Sequence, residues 1–347
     1  MKSHNAANER IKRQYFAYLG EALGHSEQTI DAVAKAIARF EAYTRYKDFK
    51  GFHVEQAKAF KRDLAEKRGG RSGEPLSKAT LYATLTALKR FFIWLVGQPG
   101  YKSRISYADA EYFNLTAKDT RIAKAIRPER VPTLEQIRHV IRLMPATTDI
   151  EKRDRALIAF TILTGARDGA TASFKLRHID AIEGKIDQDA RDVRTKFSKS
   201  FVTTFFPVGD NIRAVVVDWV NYLRRDKLWG LDDALFPATM VAVGDDLRFR
   251  AAGLDRKHWS NAGPIRKIFK EAFGLAGLPY FNPHSFRKTL ALLGGKICRS
   301  PEEYKAWSQN LGHEHVLTTF CSYGDVTGYR QLEIMRSFAS PAVDASV

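Results

Sequence analysis

Apolar positions in the first third of the chain return at helical spacing. After Ser26, residues Ile30, Val33, Ile37 and Phe40 fall on one face, and Val54, Ala57, Phe60 and Leu64 repeat the pattern. Ser77 has the chemistry of an N-cap and opens a longer helix carrying Leu81, Leu85, Leu88, Phe92 and Leu95. Between the last two helices, KRGGRSGEPLSK reads either as a solvated connection or as a basic, glycine-rich loop suited to a phosphate backbone. Periodicity then fades from Gly97 to Pro132. The stretch KAIRPERVPT holds Pro128 and Pro132 and reads as an interdomain linker, because proline interrupts both helix and ladder.

Thr133 and Gln136 form a capping-box signature for a helix with Ile137, Val140, Ile141 and Met144. Helical patterns follow through Arg153 to Leu163 and again after Asn211. Between them, from about Ile179 to Val208, β-branched and aromatic clusters broken by polar turns predict strands. Residues 238–260 show little periodicity and read as a surface insertion, and helical spacing resumes from Pro264. The expected fold is mainly α with a small antiparallel β-sheet in the second part. The expected division is a helical domain over 1–120, a linker over 121–132, a second domain over 133–340 and a tail over 341–347.

Of the 347 residues, 44% are hydrophobic, enough for two buried cores, yet the formal charge is +17. Such a charge repels itself and favours a polyanionic partner, since each Lys or Arg that neutralises a phosphate releases counterions. Cys298 and Cys321 form no CxxC pair, so neither a disulfide framework nor a cysteine zinc knuckle is expected. The N-terminal MKSHNAANERIKRQYF has no signal-peptide core, and the apolar run Phe91–Val96 is short for a bilayer. These features predict a cytoplasmic, nucleoid-associated protein without a membrane partner.

Four short motifs carry candidate chemistry. TGARDGA places Arg167 just past a helix end at Gly165. RTKFSKSF puts Lys196 and Lys199 on a hairpin. NPHSFRKT sets His284 and Arg287 three residues apart, on one helical face, with Phe286 free to face the core. LGHEHVLTTFCSYGD holds His313, His315 and Tyr323. Each alone is ordinary: arginines pair with surface carboxylates, and hairpin lysines are solvated. His315 reads as a surface group, and Cys321, Trp307 and Phe320 read as packing. His258 and Trp259 fit either a structural or a DNA-contacting role.

Their order, Arg, Lys, His-x-x-Arg, Leu-Gly-His, Tyr, resembles the tyrosine recombinase (phage integrase) family, over most of residues 130–340. The resemblance implies a two-domain DNA clamp, a helical core-binding domain followed by an integrase-type catalytic domain. It implies site-specific strand transfer through a 3′-phosphotyrosine, with Tyr323 as nucleophile. Arg167 and Arg287 would clamp the phosphate, and His284 and His313 would be hydrogen-bond donors or proton-transfer partners. On this resemblance Lys199, eight residues before Pro207, is the general acid rather than Lys196. No cofactor and no metal is implied; the partners would be double-stranded DNA and three further copies in a homotetramer on two DNA sites. The C-terminal segment GYRQLEIMRSFAS, with Leu332, Ile334, Met335 and Phe338, packs either on a neighbour or on its own domain.

Two departures stand out. Ten positions separate His313 from Tyr323, one more than in many members, and Tyr329 is sixteen away. Ala170 stands where members often carry an acid, with Asp168 adjacent to Arg167 instead. Other readings of the chain are a DNA-binding regulator of the same fold without catalysis, a type IB topoisomerase-like enzyme, and a metal nuclease built on His284, His313 and His315.

Overall fold

Side-chain caps start most of the longer helices. Ser26 accepts from the Thr29 amide, Ser77 from Thr80, and Thr133 and Gln136 close the expected capping box. The computed structural model describes residues 4–69, 73–125, 130–243, 247–313 and 328–337. The chain divides into two units, Met1–Ile126 and Arg127–Val347, each with its own hydrophobic core. Both are mainly helical, with short antiparallel sheets.

The first unit contains α1 (Ala6–Ala17), α2 (Glu27–Tyr43), α3 (Val54–Glu66), β1 (Arg68–Gly69), β2 (Glu74–Pro75), α4 (Lys78–Val96), α5 (Tyr107–Ala110) and α6 (Ala117–Lys124). On either side of residues 70–72 the glycine-rich stretch pairs Arg68 with Pro75 and Gly69 with Glu74 as a minimal β1–β2 ribbon. The core gathers around α4, where the rings of Phe40, Phe52, Phe92 and Phe113 meet at 4.2–6.1 Å between centroids. By length and composition α4 is apolar enough to cross a membrane, well beyond the run from Phe91 to Val96. Here its apolar residues Leu81, Leu85, Leu88, Phe91, Phe92 and Leu95 form the unit's core. Helix α6 is tied to α4 by the Lys78–Asp119 ion pair at 2.9 Å and by Lys124 over the Tyr82 ring. Residues 121–124, expected in the linker, are thus the end of a helix.

The second unit contains α7 (Leu134–Leu143), α8 (Asp149–Thr164), α9 (Asp168–Thr171), β3 (Ile179–Asp180), β4 (Lys185–Gln188), β5 (Phe201–Thr204), α10 (Asp210–Asn221), β6 (Pro237–Val243), β7 (Phe249–His258), α11 (Gly263–Leu275), α12 (Pro283–Ile297), α13 (Pro301–Asn310) and α14 (Gly328–Ser337). Every residue of α8 from Ala156 to Thr164 is buried, so this helix is the unit's axis. Strands β3, β4 and β5 form an antiparallel sheet with Ile186 opposite both Ile179 and Thr203.

The stretch expected as an unpatterned surface insertion is instead the β6–β7 ribbon. Its base is fixed from α8. Buried Arg153 lies over the Trp259 ring at 5.0 Å and donates to the Pro237 carbonyl at 2.9 Å and to Thr239 Oγ1 at 3.0 Å. Trp259 is therefore a core residue, and His258 bonds to the Phe174 carbonyl at 3.2 Å.

Candidate active site

The site begins where α8 stops. Gly165 takes φ +60°, and its amide still bonds to Thr161, so the helix closes in a left-handed turn. A side chain there would strike Leu311 and Leu290. The turn delivers Arg167 to the first position before α9. Arg167 is half-buried, and desolvation lowers its pKa from the ordinary guanidinium value.

Helix α12 supplies the next pair. Asn282 caps it by accepting from the Ser285 amide, and Pro283 stands in its first turn. Phe286 is buried against Phe269 and Phe273, at 5.0 and 6.1 Å between ring centroids. That anchor fixes the rotation of the helix. His284 is left exposed, while Arg287 is only 4% exposed.

Among the described residues Arg287 is held by backbone rather than by an acid. It donates through one terminal nitrogen to the Gly165 carbonyl, and through the other to Leu311 O at 2.6 Å and His313 Nε2 at 3.0 Å. Its Nε is buried without a partner among the described residues. Burial and the nearby Arg167 charge pull its pKa down to about 9, so it remains a cation at neutral pH.

The Leu-Gly-His motif has a geometric cause. At the end of α13, Gly312 N–H bonds to Gln309 O at 2.7 Å and His313 N–H to Ser308 O at 3.1 Å. That double bond is a Schellman cap, whose left-handed position falls on Gly312 at φ +69°. Leu311 is buried in the core, and a Cβ on Gly312 would collide with the Phe201 ring. The cap therefore turns the chain so that His313 meets Arg287. An arginine only donates, so His313 Nε2 accepts and the ring proton sits on Nδ1. Burial, followed by Arg287, Arg167 and His284, holds the His313 pKa down to about 4. His313 senses the charge of the other three and Arg287 that of Arg167: the structure brings Arg167, His284, Arg287 and His313 together.

Lys199 lies just before β5, half-buried. Strand β5 is locked to the end of α13. The Asn310 side chain accepts from Thr204 N at 2.7 Å and donates to Thr204 O at 2.8 Å, while Thr203 Oγ1 donates to Asn310 O at 3.0 Å. The lysine loop and the His313 turn thus share one sheet edge. Tyr323 and His315 lie outside the described residues, as do Cys321 and Phe320. Trp307 packs on Phe206 and donates to Leu290 O at 3.0 Å, a structural place.

Asp168 does not reach Arg167. One of its oxygens accepts from Gly169 N at 2.9 Å and the other from Arg266 Nε at 2.9 Å. Ala170 is buried. The two backbone carbonyls that hold Arg287 were not among the sequence candidates; only the glycine after α8 hints at them. Among the described residues, no group of three His, Cys, Asp or Glu side chains is placed to hold a metal ion.

A model of the phage integrase family matches residues 133–328. The chain belongs to the phage integrase family. Tyrosine recombinase XerC of Escherichia coli K12 is 26% identical over 247 residues, which cover 70% of this chain and 69% of the relative. Among solved structures, a lambda integrase(75-356) dimer bound to a COC′ core site covers 96% of this integrase-family chain and 99% of its own, with TM-score 0.62 at 14% identity. The Tn1549 transposon integrase in complex with transposon right end DNA covers 94% and 98%, with TM-score 0.60 at 13% identity. These likenesses show the fold. Family membership makes this integrase-family chain a tyrosine recombinase, an enzyme of site-specific DNA recombination.

Proposed function

We propose that the chain cleaves and rejoins duplex DNA through Tyr323 and a 3′-phosphotyrosine. One observation carries the assignment of the site. Arg167 and Arg287 are both desolvated, the charge of Arg167 adds to the burial that lowers the pKa of Arg287, and among the described residues neither meets a carboxylate. Two desolvated cations without an anion are costly unless an anion arrives. A phosphodiester supplies it, and two planar forks suit its two non-bridging oxygens.

In the proposed reaction Tyr323 Oη gives up its proton to His313 Nε2 as it attacks the phosphorus, and the bond to the 5′ oxygen breaks. Arg167 and Arg287 stabilise the charge that builds on the equatorial oxygens. Lys199 gives its proton to the departing 5′ oxygen. His284, on the rim, donates to the phosphate, and His313, once Nε2 carries a proton, exchanges its Arg287 contact for a donated bond to the phosphate. A 5′-hydroxyl from a second duplex reverses the sequence, so the bond energy is retained. The reaction needs neither metal nor ATP.

Strand exchange between two duplexes uses four such sites, and we assign the working form as a homotetramer on two DNA segments in the cytoplasm. The lambda integrase tetramer bound to a Holliday junction, TM-score 0.61 and 14% identical, supports that reading, as do the exposed Leu332 and Met335 of α14. The test is a nicked suicide substrate carrying the chain's own site, incubated in EDTA. A covalent protein–DNA adduct is expected with the wild-type chain and none with Tyr323→Phe. An adduct that persists in the variant removes Tyr323 as nucleophile. Tight, site-specific binding with no adduct from the wild type leaves a regulator, and supercoil relaxation without exchange leaves a topoisomerase.

A further inference from the structure

The cleavage reaction proposed above uses Lys199 from the loop between β4 and β5. The rest of that loop is held as if to present something else. On the way out, Val193 is buried, and Arg194 donates to the carbonyls of Ala172 at 3.1 Å, Trp259 at 2.7 Å and Ser260 at 2.7 Å. Its amide donates to Ser173 Oγ at 2.9 Å. On the way back, Ser200 Oγ accepts from Ala190 N at 2.9 Å, and the Phe201 ring lies against Gly312.

Between these two clamps stand Lys196, Phe197, Ser198 and Lys199. Phe197 and Ser198 both occupy the left-handed region, at φ +60° and +50°, which costs free energy for residues with a Cβ. The result of that strain is a phenyl ring 80% exposed to solvent, with the Lys196 ammonium 4.7 Å from its centroid. From Thr195 to Phe201 there is no acidic residue. Folding gains nothing by displaying this ring, whereas a DNA base step can cover it. Apolar side chains wedge between stacked bases, and lysines on either side hold the flanking phosphates.

We propose that Phe197 is a wedge that unstacks a base step beside the phosphate attacked by Tyr323, seated there by Lys196 and Lys199. This rests on the reading of the site as a DNA-cleaving one. It makes Phe197 a DNA-contacting residue that selects deformable steps at the cut, rather than a member of the reacting set.

The test uses the full chain as Tyr323→Phe, which cannot form the proposed adduct. Duplexes that it binds are recovered from a random pool and resynthesised with 2-aminopurine at successive positions across the site. A rise in fluorescence at one step is expected with Phe197 in place. It should be lost with Phe197→Ala, together with roughly tenfold weaker binding, and should return with Phe197→Trp. No rise at any position, a rise unchanged in Phe197→Ala, or a pool that yields no bound duplex overturns the wedge. So does a Phe197→Ala effect confined to self-association, which would make the ring a protein contact. The reading beneath it fails separately, if the wild-type chain forms no adduct on a nicked version of the same duplex.

Discussion

The Arg287 knot and the Lys196–Lys199 loop face the same chemistry from opposite extremes of environment. Arg287 is buried, spanned by two backbone carbonyls and a neutral histidine, and cannot move without breaking the turn after α8 or the cap after α13. Lys199 stands in a loop clamped at both ends but open between them, with Phe197 beside it in solvent. The difference fits the two jobs proposed for them. Stabilising charge on a phosphate favours donors fixed beforehand, because reorganisation during the reaction would consume the gain. Donating a proton to a leaving oxygen favours a flexible ammonium, and deep burial would push that ammonium toward its neutral form.

The most severe way to break the comparison is Arg287→Ala. Cleavage should fall by roughly 10³–10⁵-fold, the range for a transition-state arginine. The fold should suffer too, because two buried carbonyls lose a charged donor, at a cost of about 2–4 kcal/mol. Arg167→Ala should abolish cleavage without that loss, since among the described residues its guanidinium holds no backbone. Adduct rates beside urea unfolding midpoints distinguish the two; equal stability in both variants would refute the structural role of Arg287.

Next comes Lys199→Ala, expected to slow cleavage by about 10²–10⁴-fold while stability stays within roughly 0.5 kcal/mol, as for other surface changes. A substrate with sulfur at the bridging 5′ position sharpens this. A thiolate leaves without a proton, so it should rescue Lys199→Ala and leave Arg287→Ala inactive. Failure of the rescue would move the general acid elsewhere, Lys196 first.

Gly312→Ala tests the link between the two regions, because the glycine touches Phe201 on one side and positions His313 on the other. The new Cβ meets the Phe201 ring and must adopt φ +69°. A loss of about 2–3 kcal/mol is expected, with slower cleavage. Gly312→Ala with Phe201→Leu should relieve the clash but not the backbone strain. Full recovery would mean that the left-handed cap is unimportant.

Much of this frame is legible in the sequence where the physics is local. Ser26, Ser77 and the Thr133–Gln136 box sit where capping chemistry puts them, and the helices followed. Leu311-Gly312-His313 stood out as a motif, and its cause turned out to be a helix cap. What could not be read depends on distant partners. The supports of Arg287 are carbonyls, which leave no signature in side chains. Arg266 reaches Asp168 across 98 positions. The β6–β7 ribbon was hidden by alanines, by Gly253 and by register shifts at Pro237/Ala238 and Met240/Val241, which erase the alternation that marks a strand.

The gentlest test is pH, and it reads the knot alone. His313 has its pKa held down to about 4 in the folded chain by burial and by the cations around it, against an ordinary 6.5. Between these values the unfolded chain binds a proton at this position that the folded chain refuses. Stability contributed here is therefore complete above 6.5, falls as pH drops toward 4, and changes no further below. His313→Gln should flatten that part of the urea-midpoint profile. Phosphate from DNA offsets Arg167 and Arg287, so it should raise the His313 pKa and be accompanied by proton uptake in the same window. If His313→Gln leaves the profile unchanged while Lys199→Ala alters it, then the charge-sensitive region of the site is the exposed loop, and the roles assigned to knot and loop must be exchanged.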